Sequence, residues 1–258
     1  MVVRLATWNV NSLNARMERV ESWLVDVAPD VVCLQETKLA DGAFPALAFQ
    51  ALGYDSVHHG EGRWNGVAVL SRLGIDDVVC GFGPDAPDPE ARLVWATCGG
   101  VRVASAYVPN GRALDHDHYR YKLDWMARLL ERLKASESAD SPVVVAGDFN
   151  IAPTDIDVWD PARFTDATHT SAAEREALER LVEWGMVDTF RQQHGEAGLY
   201  SWWDYRAGSF HKHQGMRIDL VLATPPLARQ VRFATIDRNA RKGQQPSDHA
   251  PVIIDFDI

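Results

Sequence analysis

Gly147-Asp148-Phe149-Asn150 follows the apolar run Val143-Val144-Val145-Ala146. A carboxylate and a carboxamide therefore stand two residues apart at what should be the end of a buried strand. Residues two apart on a strand share a face. An acid beside an amide can orient a water and steady the charge that develops when a phosphate ester is attacked. A Gly-Asp pair after a strand also serves as a plain turn, so the reading depends on what accompanies it. Polar residues recur at the ends of other apolar runs: Asn9 and Asn11, Glu36 after Val31-Val32-Cys33-Leu34, Tyr107, Asp219 within the run that ends at Ala223, and Asp248-His249 before the last one.

Mg²⁺ prefers oxygen ligands and takes one or two carboxylates from a protein. Glu36 fits that role, with Asn9, Asn11 and Asp248 as neighbours or outer partners. His249 titrates near neutrality and suits a general base or a phosphate contact. Its orientation needs a carboxylate, and an acid inside an apolar strand needs a partner if buried, which pairs it with Asp219. Asp148, Asn150, Tyr107 and His249 can supply a base, donors for developing charge and a contact for the leaving oxygen. Asp115-His116-Asp117-His118, which precedes a helical pattern, reads instead as a solvated first turn.

Helical spacing is clear at Leu13, Met17, Val20, Leu24 and Val27, at Tyr119, Leu123, Met126, Leu130 and Leu133, and at Leu178, Leu181 and Val182. The last follows the capping-box pattern Ser171-Ala172-Ala173-Glu174 and stops at Gly185. Strand-like runs cover 2–8, 30–34, 66–71, 92–97, 101–108, 142–148, 217–223 and 250–256. This mixture predicts layered sheets flanked by helices, with the polar strand ends meeting at one edge to form one site.

With 258 residues, 46% of them hydrophobic, and no linker, the chain is expected to form a single domain over 1–258. It shows no signal-peptide or membrane-span pattern, which predicts a soluble cytoplasmic protein without a membrane partner. Three widely spaced cysteines without a C-x-x-C pair argue against disulfides and zinc. The net charge of −10 runs against nucleic-acid binding as usually read from a basic surface. Distribution matters more, and the stretches 207–215 and 238–245 carry positive charge and no acid.

Taken together, Thr7-Trp8-Asn9-Val10-Asn11, Leu34-Gln35-Glu36-Thr37-Lys38, Tyr107-Val108-Pro109-Asn110-Gly111 and Gly147-Asp148-Phe149-Asn150 resemble the endonuclease/exonuclease/phosphatase superfamily. The extension Ile151 to Asp157, Ser201-Trp202-Trp203-Asp204-Tyr205-Arg206 leading to Met216-Arg217-Ile218-Asp219, and Pro246-Ser247-Asp248-His249-Ala250-Pro251-Val252 narrow the resemblance to the exonuclease III family of apurinic/apyrimidinic (AP) endonucleases. That resemblance implies a DNase I-like four-layer α/β sandwich of two mainly antiparallel sheets packed face to face, with helices outside. It implies Mg²⁺-dependent cleavage of duplex DNA 5′ to an abasic site, with Mn²⁺ as a substitute metal, together with removal of 3′-blocking groups and 3′→5′ exonuclease action.

Carried onto matching positions, Glu36 becomes the main metal ligand, with Asn9, Asp148, Asn150, Asp248 and His249 as further metal-site residues. Asp148 activates water, Asn150 stabilises the transition state, Tyr107 contacts phosphate and Asp219 orients His249. Whether Asp148 or His249 is the base, and whether one or two metals take part, stays open. Asn11, Arg63, Asn110, Arg112, Lys212 and Arg241 become candidate DNA contacts, Arg112 being equally readable as a solvated surface arginine. Trp202, Met216 and Ile218 become the candidate walls of an apolar pocket for the baseless sugar, although all three also suit a core. Two motif positions depart from relatives, at Asn11-Ser12 and Asn110-Gly111-Arg112, and neither removes a reactive group. A phosphodiesterase or phosphatase for a non-DNA substrate and a non-catalytic DNA-binding scaffold are the competing readings. A monomer is expected.

Overall fold

A computed structural model describes residues 1–258. Strands β1 (Val2–Asn9), β2 (Val31–Gln35), β3 (Asp55–His59), β4 (Val67–Ser71), β5 (Asp76–Cys80), β6 (Leu93–Cys98), β7 (Val101–Tyr107), β8 (Val143–Asp148), β9 (Val187–Asp188), β10 (Asp219–Ala223), β11 (Val231–Ile236) and β12 (Val252–Asp257) alternate with helices α1 (Leu13–Val27), α2 (Ala46–Ala51), α3 (Asp117–Ser136), α4 (Ala172–Trp184), α5 (Thr189–Gln193) and α6 (Pro225–Ala228). They form two six-stranded sheets, ordered β11-β12-β1-β2-β4-β3 and β5-β6-β7-β8-β10-β9.

The strict two-residue period of the strands builds the layers. Leu5, Cys33 and Val69 point between the sheets, where they join Val94, Val103, Val144 and Ile254 in one core. Their sequence neighbours Ala6, Val32, Leu34 and Leu70 point the other way and meet Val20, Trp23 and Leu24 of α1. In the second sheet Val143, Val145 and Leu220 face Trp125, Met126 and Leu133 of α3 and Leu178 and Leu181 of α4. Central strands buried on both faces read as continuous apolar runs, which is why their sequence signal is strong.

Helix α4 begins and ends where its residues dictate. Ser171 accepts from the Glu174 amide, and the Glu174 carboxylate accepts from the Ser171 amide. Gly185 closes the helix at φ 131°, a conformation that glycine adopts without a Cβ clash.

Each sheet holds one parallel pair, β1 with β2 and β7 with β8, while the other pairings are antiparallel. Parallel neighbours need a long crossover, supplied here by α1 and α3. Parallel strands end at the same edge, so Asn9, Gln35, Tyr107 and Asp148 all finish there. Antiparallel pairing brings the start of β10 to it, with Asp219 opposite Asp148, and the approach to β12, with Val252 opposite Thr7.

The eight expected strands are present, with small shifts. Strand β10 starts at Asp219, so that acid is the strand's first residue rather than an interior one. Strand β8 ends at Asp148, and Asn150 lies at φ 51°. The expected side-by-side strand geometry of Asp148 and Asn150 is therefore replaced by a turn in which the Asn150 amide donates to Asp148 Oδ1 at 2.9 Å.

Below that edge, Arg217 is fully buried between Asp157 at 2.6 Å and Asp188 at 2.7 Å, with Arg191 also on Asp157 at 2.5 Å. Burial alone would raise the Asp157 carboxyl pKa, but Arg217 and Arg191 outweigh it and hold the group below the ordinary carboxylate value. A depressed folded pKa contributes stability above the unfolded pKa, about 3.9 for Asp, and that contribution fades as pH falls through the folded value. Asp157→Asn is expected to cost about 3–5 kcal/mol near neutral pH, because it strands buried arginine charge. In urea unfolding, the gap to the parent protein should narrow below about pH 4. A gap of equal size at pH 6 and at pH 3 would refute the ionic origin.

Candidate active site

Asn9 stands at the centre of the shared edge. Its Nδ2 donates to Glu36 Oε1 at 2.8 Å and to Asp148 Oδ2 at 2.9 Å, while its Oδ1 accepts from the Asn11 amide at 3.0 Å. His249 Nδ1 donates to Asp219 Oδ2 at 2.8 Å, which turns Nε2 toward Asp148 Oδ2, 3.7 Å away. Ser201 Oγ accepts from the amides of Ile218 and Asp219, and Ser247 Oγ donates to the Asn9 carbonyl and accepts from the His249 amide. These two hydroxyls fix the backbone on both sides of the imidazole.

The backbone here is held away from ordinary conformations. Asn11, Ser12, Glu36, Lys38, Asn65, Arg112 and Asn150 all have φ between 44° and 83°. Each such non-glycine residue costs on the order of 1–3 kcal/mol and persists only where its surroundings enforce it. Gly147 is required by contact: a Cβ there would run into the Ala106 carbonyl of the neighbouring strand.

Charge and burial together set the proton distribution. Burial pushes the Asp148 carboxyl pKa upward, and the like charge of Asp219 adds to this against the opposing pull of His249 and Asn9. Burial opposes charge on His249, yet Asp219, Asp148 and Asp248 outweigh it and raise its pKa, favouring imidazolium. Burial and then Glu36 push the Tyr107 phenol upward, so it stays a donor beside that carboxylate. The Arg92 guanidinium lies 4.5 Å over its ring.

Glu36, Asp148 and His249 bring ligand atoms within 4.8 Å of one another. The two carboxylates form an oxygen-rich pair suited to a hard divalent ion, and a cation beside Asp148 would favour its ionised form. The other residues that the sequence places at the metal site are already hydrogen-bonded around this pair. Asn9 presents its NH₂ to both carboxylates, so it orients them rather than adding an oxygen. Asn150 Nδ2 donates to the Val108 carbonyl and its Oδ1 accepts from Asn110, so both ends of the carboxamide are oriented by neighbours. Asp248 Oδ1 accepts from Asn11 and Oδ2 from Trp202 Nε1, so it forms an outer belt with them. His249 lies within reach of the pair, its Nε2 3.7 Å from Asp148 Oδ2.

The expected substrate contacts divide. Arg63 and Arg112 are exposed on the rim, and Arg112 shares a cleft of about 520 Å³ with Glu36, Trp64, Tyr107 and Asn110. Lys212 is exposed on its loop. Arg241 is not a free DNA contact: it is buried, donating to the carbonyls of Asp248 and Trp203. Met216 and Ile218 are each 1% exposed, packed with Ala152 and Val158, so they floor this region, and half-buried Trp202 covers them. A larger groove of about 890 Å³ beside α1 holds none of the reactive residues. His116 caps α3, and His118 accepts from the Gly111 amide, so the Asp115–His118 run is partly structural.

Sequence reading passed over Lys122 and His169 and took Glu174 only as part of a helix cap. Lys122 and Glu174 are buried and paired beneath Asn110 and Asn150. His169 stands beside Asn110, with Nδ1 buried and unpartnered. The Lys122 signal was available: 122, 126, 129 and 133 trace a single helical stripe, and a lysine on an apolar stripe needs a buried partner.

A two-sheet sandwich with a carboxylate pair and an Asp-oriented histidine at one edge defines a phosphodiester-hydrolysing enzyme. Residues 6–249 match the Endonuclease/Exonuclease/phosphatase family. Exodeoxyribonuclease III of Haemophilus influenzae is 32% identical over 98% of this chain and 100% of its own length. An AP endonuclease structure from Archaeoglobus fulgidus superposes with TM-score 0.96 at 37% identity, covering 99% of this chain and 100% of that one. A Neisseria 3′ phosphatase bound to a product DNA hairpin superposes with TM-score 0.95 at 40% identity, with the same coverage. The chain belongs to the Endonuclease/Exonuclease/phosphatase family, in its exonuclease III branch, as the motifs indicate.

Proposed function

We propose that the protein is a Mg²⁺-dependent DNA repair nuclease. Its substrate is duplex DNA, hydrolysed 5′ to abasic sites, with removal of 3′-blocking groups and 3′→5′ exonuclease action at the same centre. The observation that carries this reading is the Asp219–His249–Asp148 line beside Glu36, in a chain whose full-length relatives include an exodeoxyribonuclease, an AP endonuclease and a 3′ phosphatase. We further assign it as a cytoplasmic, nucleoid-associated monomer built from one 1–258 domain.

Asp148 orients a water and takes its proton as the water oxygen bonds to phosphorus, while the phosphorus–O3′ bond breaks on the opposite side and the departing 3′ oxygen takes a proton from solvent to become a 3′-hydroxyl. His249, charged and anchored by Asp219, donates from Nε2 to a phosphate oxygen. The Tyr107 phenol and the second amide hydrogen of Asn150 add donors for the developing charge. Mg²⁺, or Mn²⁺ in its place, held by Glu36 and Asp148, would supply positive charge at the phosphate and leaving oxygen. A sugar without a base is cheaper to extrude than a stacked nucleotide, by on the order of a few kcal/mol, and Trp202 over Met216 and Ile218 offers it an apolar seat.

The test is a labelled duplex carrying one tetrahydrofuran abasic analogue, run beside an undamaged duplex and a 3′-phosphate duplex, with Mg²⁺ and with chelator. Metal-dependent incision 5′ to the analogue is expected, as is release of the 3′-phosphate. End-directed cleavage alone would restrict the function to 3′ processing, and silence on every DNA would favour a non-DNA phosphoester or a scaffold role. Affinity for the abasic duplex should fall steeply with salt despite the net charge of −10. Three phosphate contacts from Arg63, Arg112 and Lys212 predict a log–log slope of about −3. A flat response between about 50 and 200 mM salt would remove those contacts from the interface.

A further inference from the structure

Lys122 lies on α3 with no solvent exposure, outside the set of groups to which the proposed reaction assigns phosphate contacts. Its Nζ donates to the backbone carbonyl of Asn150 at 2.7 Å and to that of Asn110 at 3.2 Å, and it pairs with the Glu174 carboxylate. The two carbonyls belong to residues whose side chains also meet, Asn110 Nδ2 donating to Asn150 Oδ1 at 3.1 Å. Both neighbouring segments need restraint, since Asn150 is at φ 51° and Arg112, two residues after Asn110, at φ 63°. Glu174 is held in turn by the amides of His169 and Ser171 and by the Ser171 hydroxyl at the start of α4. One ammonium thus joins two helices to the two loops that frame the reactive carboxylate.

We propose that Lys122 is a positioning residue for hydrolysis, its ammonium tying the Asn110 and Asn150 turns together and so fixing Asp148. The link to the chemistry is short, because the Asn150 amide donates to Asp148 Oδ1 at 2.9 Å. A carboxylate whose turn is free to relax loses the near-attack geometry on which rate depends, while groove contacts made elsewhere are retained. A buried ion pair adds little net stability over a neutral pair of similar volume, so holding geometry is a better account of this one than holding the fold. The inference rests on the hydrolytic reading above.

The test compares Lys122→Met/Glu174→Gln, which removes both charges together, with Ser171→Ala, which loosens the same helix terminus and leaves the ammonium in place. Steady-state kinetics on the abasic and 3′-phosphate duplexes, together with thermal midpoints, are the readouts. The double variant should lose at least about 30-fold in kcat, with KM within about threefold of the parent, as expected when a transition-state interaction alone is lost. Ser171→Ala should lower the thermal midpoint and keep kcat.

If the double variant does not fold, Lys122→Arg decides. It keeps the cation opposite Glu174 but replaces a compact tetrahedral donor set by a longer planar fork, and it should fold with reduced kcat. Parent-like kcat in either folded variant overturns the proposal, as does a parallel loss of kcat and stability in Ser171→Ala. Inactivity of the parent protein on both duplexes would instead count against the nuclease reading itself.

Discussion

Asp148→Asn is expected to lower kcat by about 10³–10⁴-fold, the upper part of the range for losing a positioned general base, with DNA affinity largely kept. The substitution conserves volume, and its amide oxygen can still accept from the Asn150 amide, so the turn after β8 should survive. What disappears is the proton acceptor. The other end of the new side chain would present NH₂ to Asn9 Nδ2, which now donates to Asp148 Oδ2 at 2.9 Å, adding a local mismatch to the chemical loss. Single-turnover cleavage beside a filter-binding affinity separates the two effects. Parent-like cleavage by this variant would transfer the base role away from Asp148, with His249 the remaining candidate despite the three carboxylates that favour its charged form.

Glu36→Gln should act through the metal instead. Its carboxylate already meets Lys38 Nζ at 2.9 Å and Asn9 Nδ2 at 2.8 Å, so it is preset by neighbours that an amide would not attract equally. The Mg²⁺ concentration needed for half-maximal rate is expected to rise by at least about 10–100-fold, the loss seen when even an outer partner of a metal ligand is removed. Titration of Mn²⁺ followed by electron paramagnetic resonance reads binding without turnover. An unchanged metal requirement would place the ion elsewhere. Excess Mg²⁺ should partly restore Glu36→Gln, whereas Asp148→Asn, which loses the proton acceptor as well as one metal-site oxygen, should stay slow at saturating Mg²⁺, which separates a weakened ligand from a missing base.

The elements legible in the sequence are those whose signal is their own burial. Strands β1, β2, β4, β6, β7, β8, β10 and β12 have apolar runs because neighbours cover them. The four strands that sequence reading passed over, β3, β5, β9 and β11, occupy the four sheet edges. Asp55-Ser56-Val57-His58-His59 and Asp76-Asp77-Val78-Val79-Cys80 are partly solvated and carry polar residues accordingly. Edge strands commonly blunt their hydrophobicity in this way, and the same device hides them from a pattern search. Helices α1, α3 and α4 were legible through their spacing, and α4 also through its Ser171–Glu174 box.

For the site, residue types together with the motifs around them determined the candidate inventory: Glu36, Tyr107, Asp148, Asn150, Asp219 and His249 stand at the ends of apolar runs and within those motifs. Which polar atoms are already engaged is a property of pairs, and Asn9 and Asp148, though hydrogen-bonded, lie 139 positions apart. No local pattern encodes that Asn9 turns its NH₂ to the carboxylates, that Arg241 is buried under Asp248, or that Lys122 reaches the Asn150 carbonyl. Burial periodicity is written residue by residue along the chain. Hydrogen-bond partnership is decided by the parallel crossovers that bring distant strand ends to one edge, and so by the tertiary structure alone.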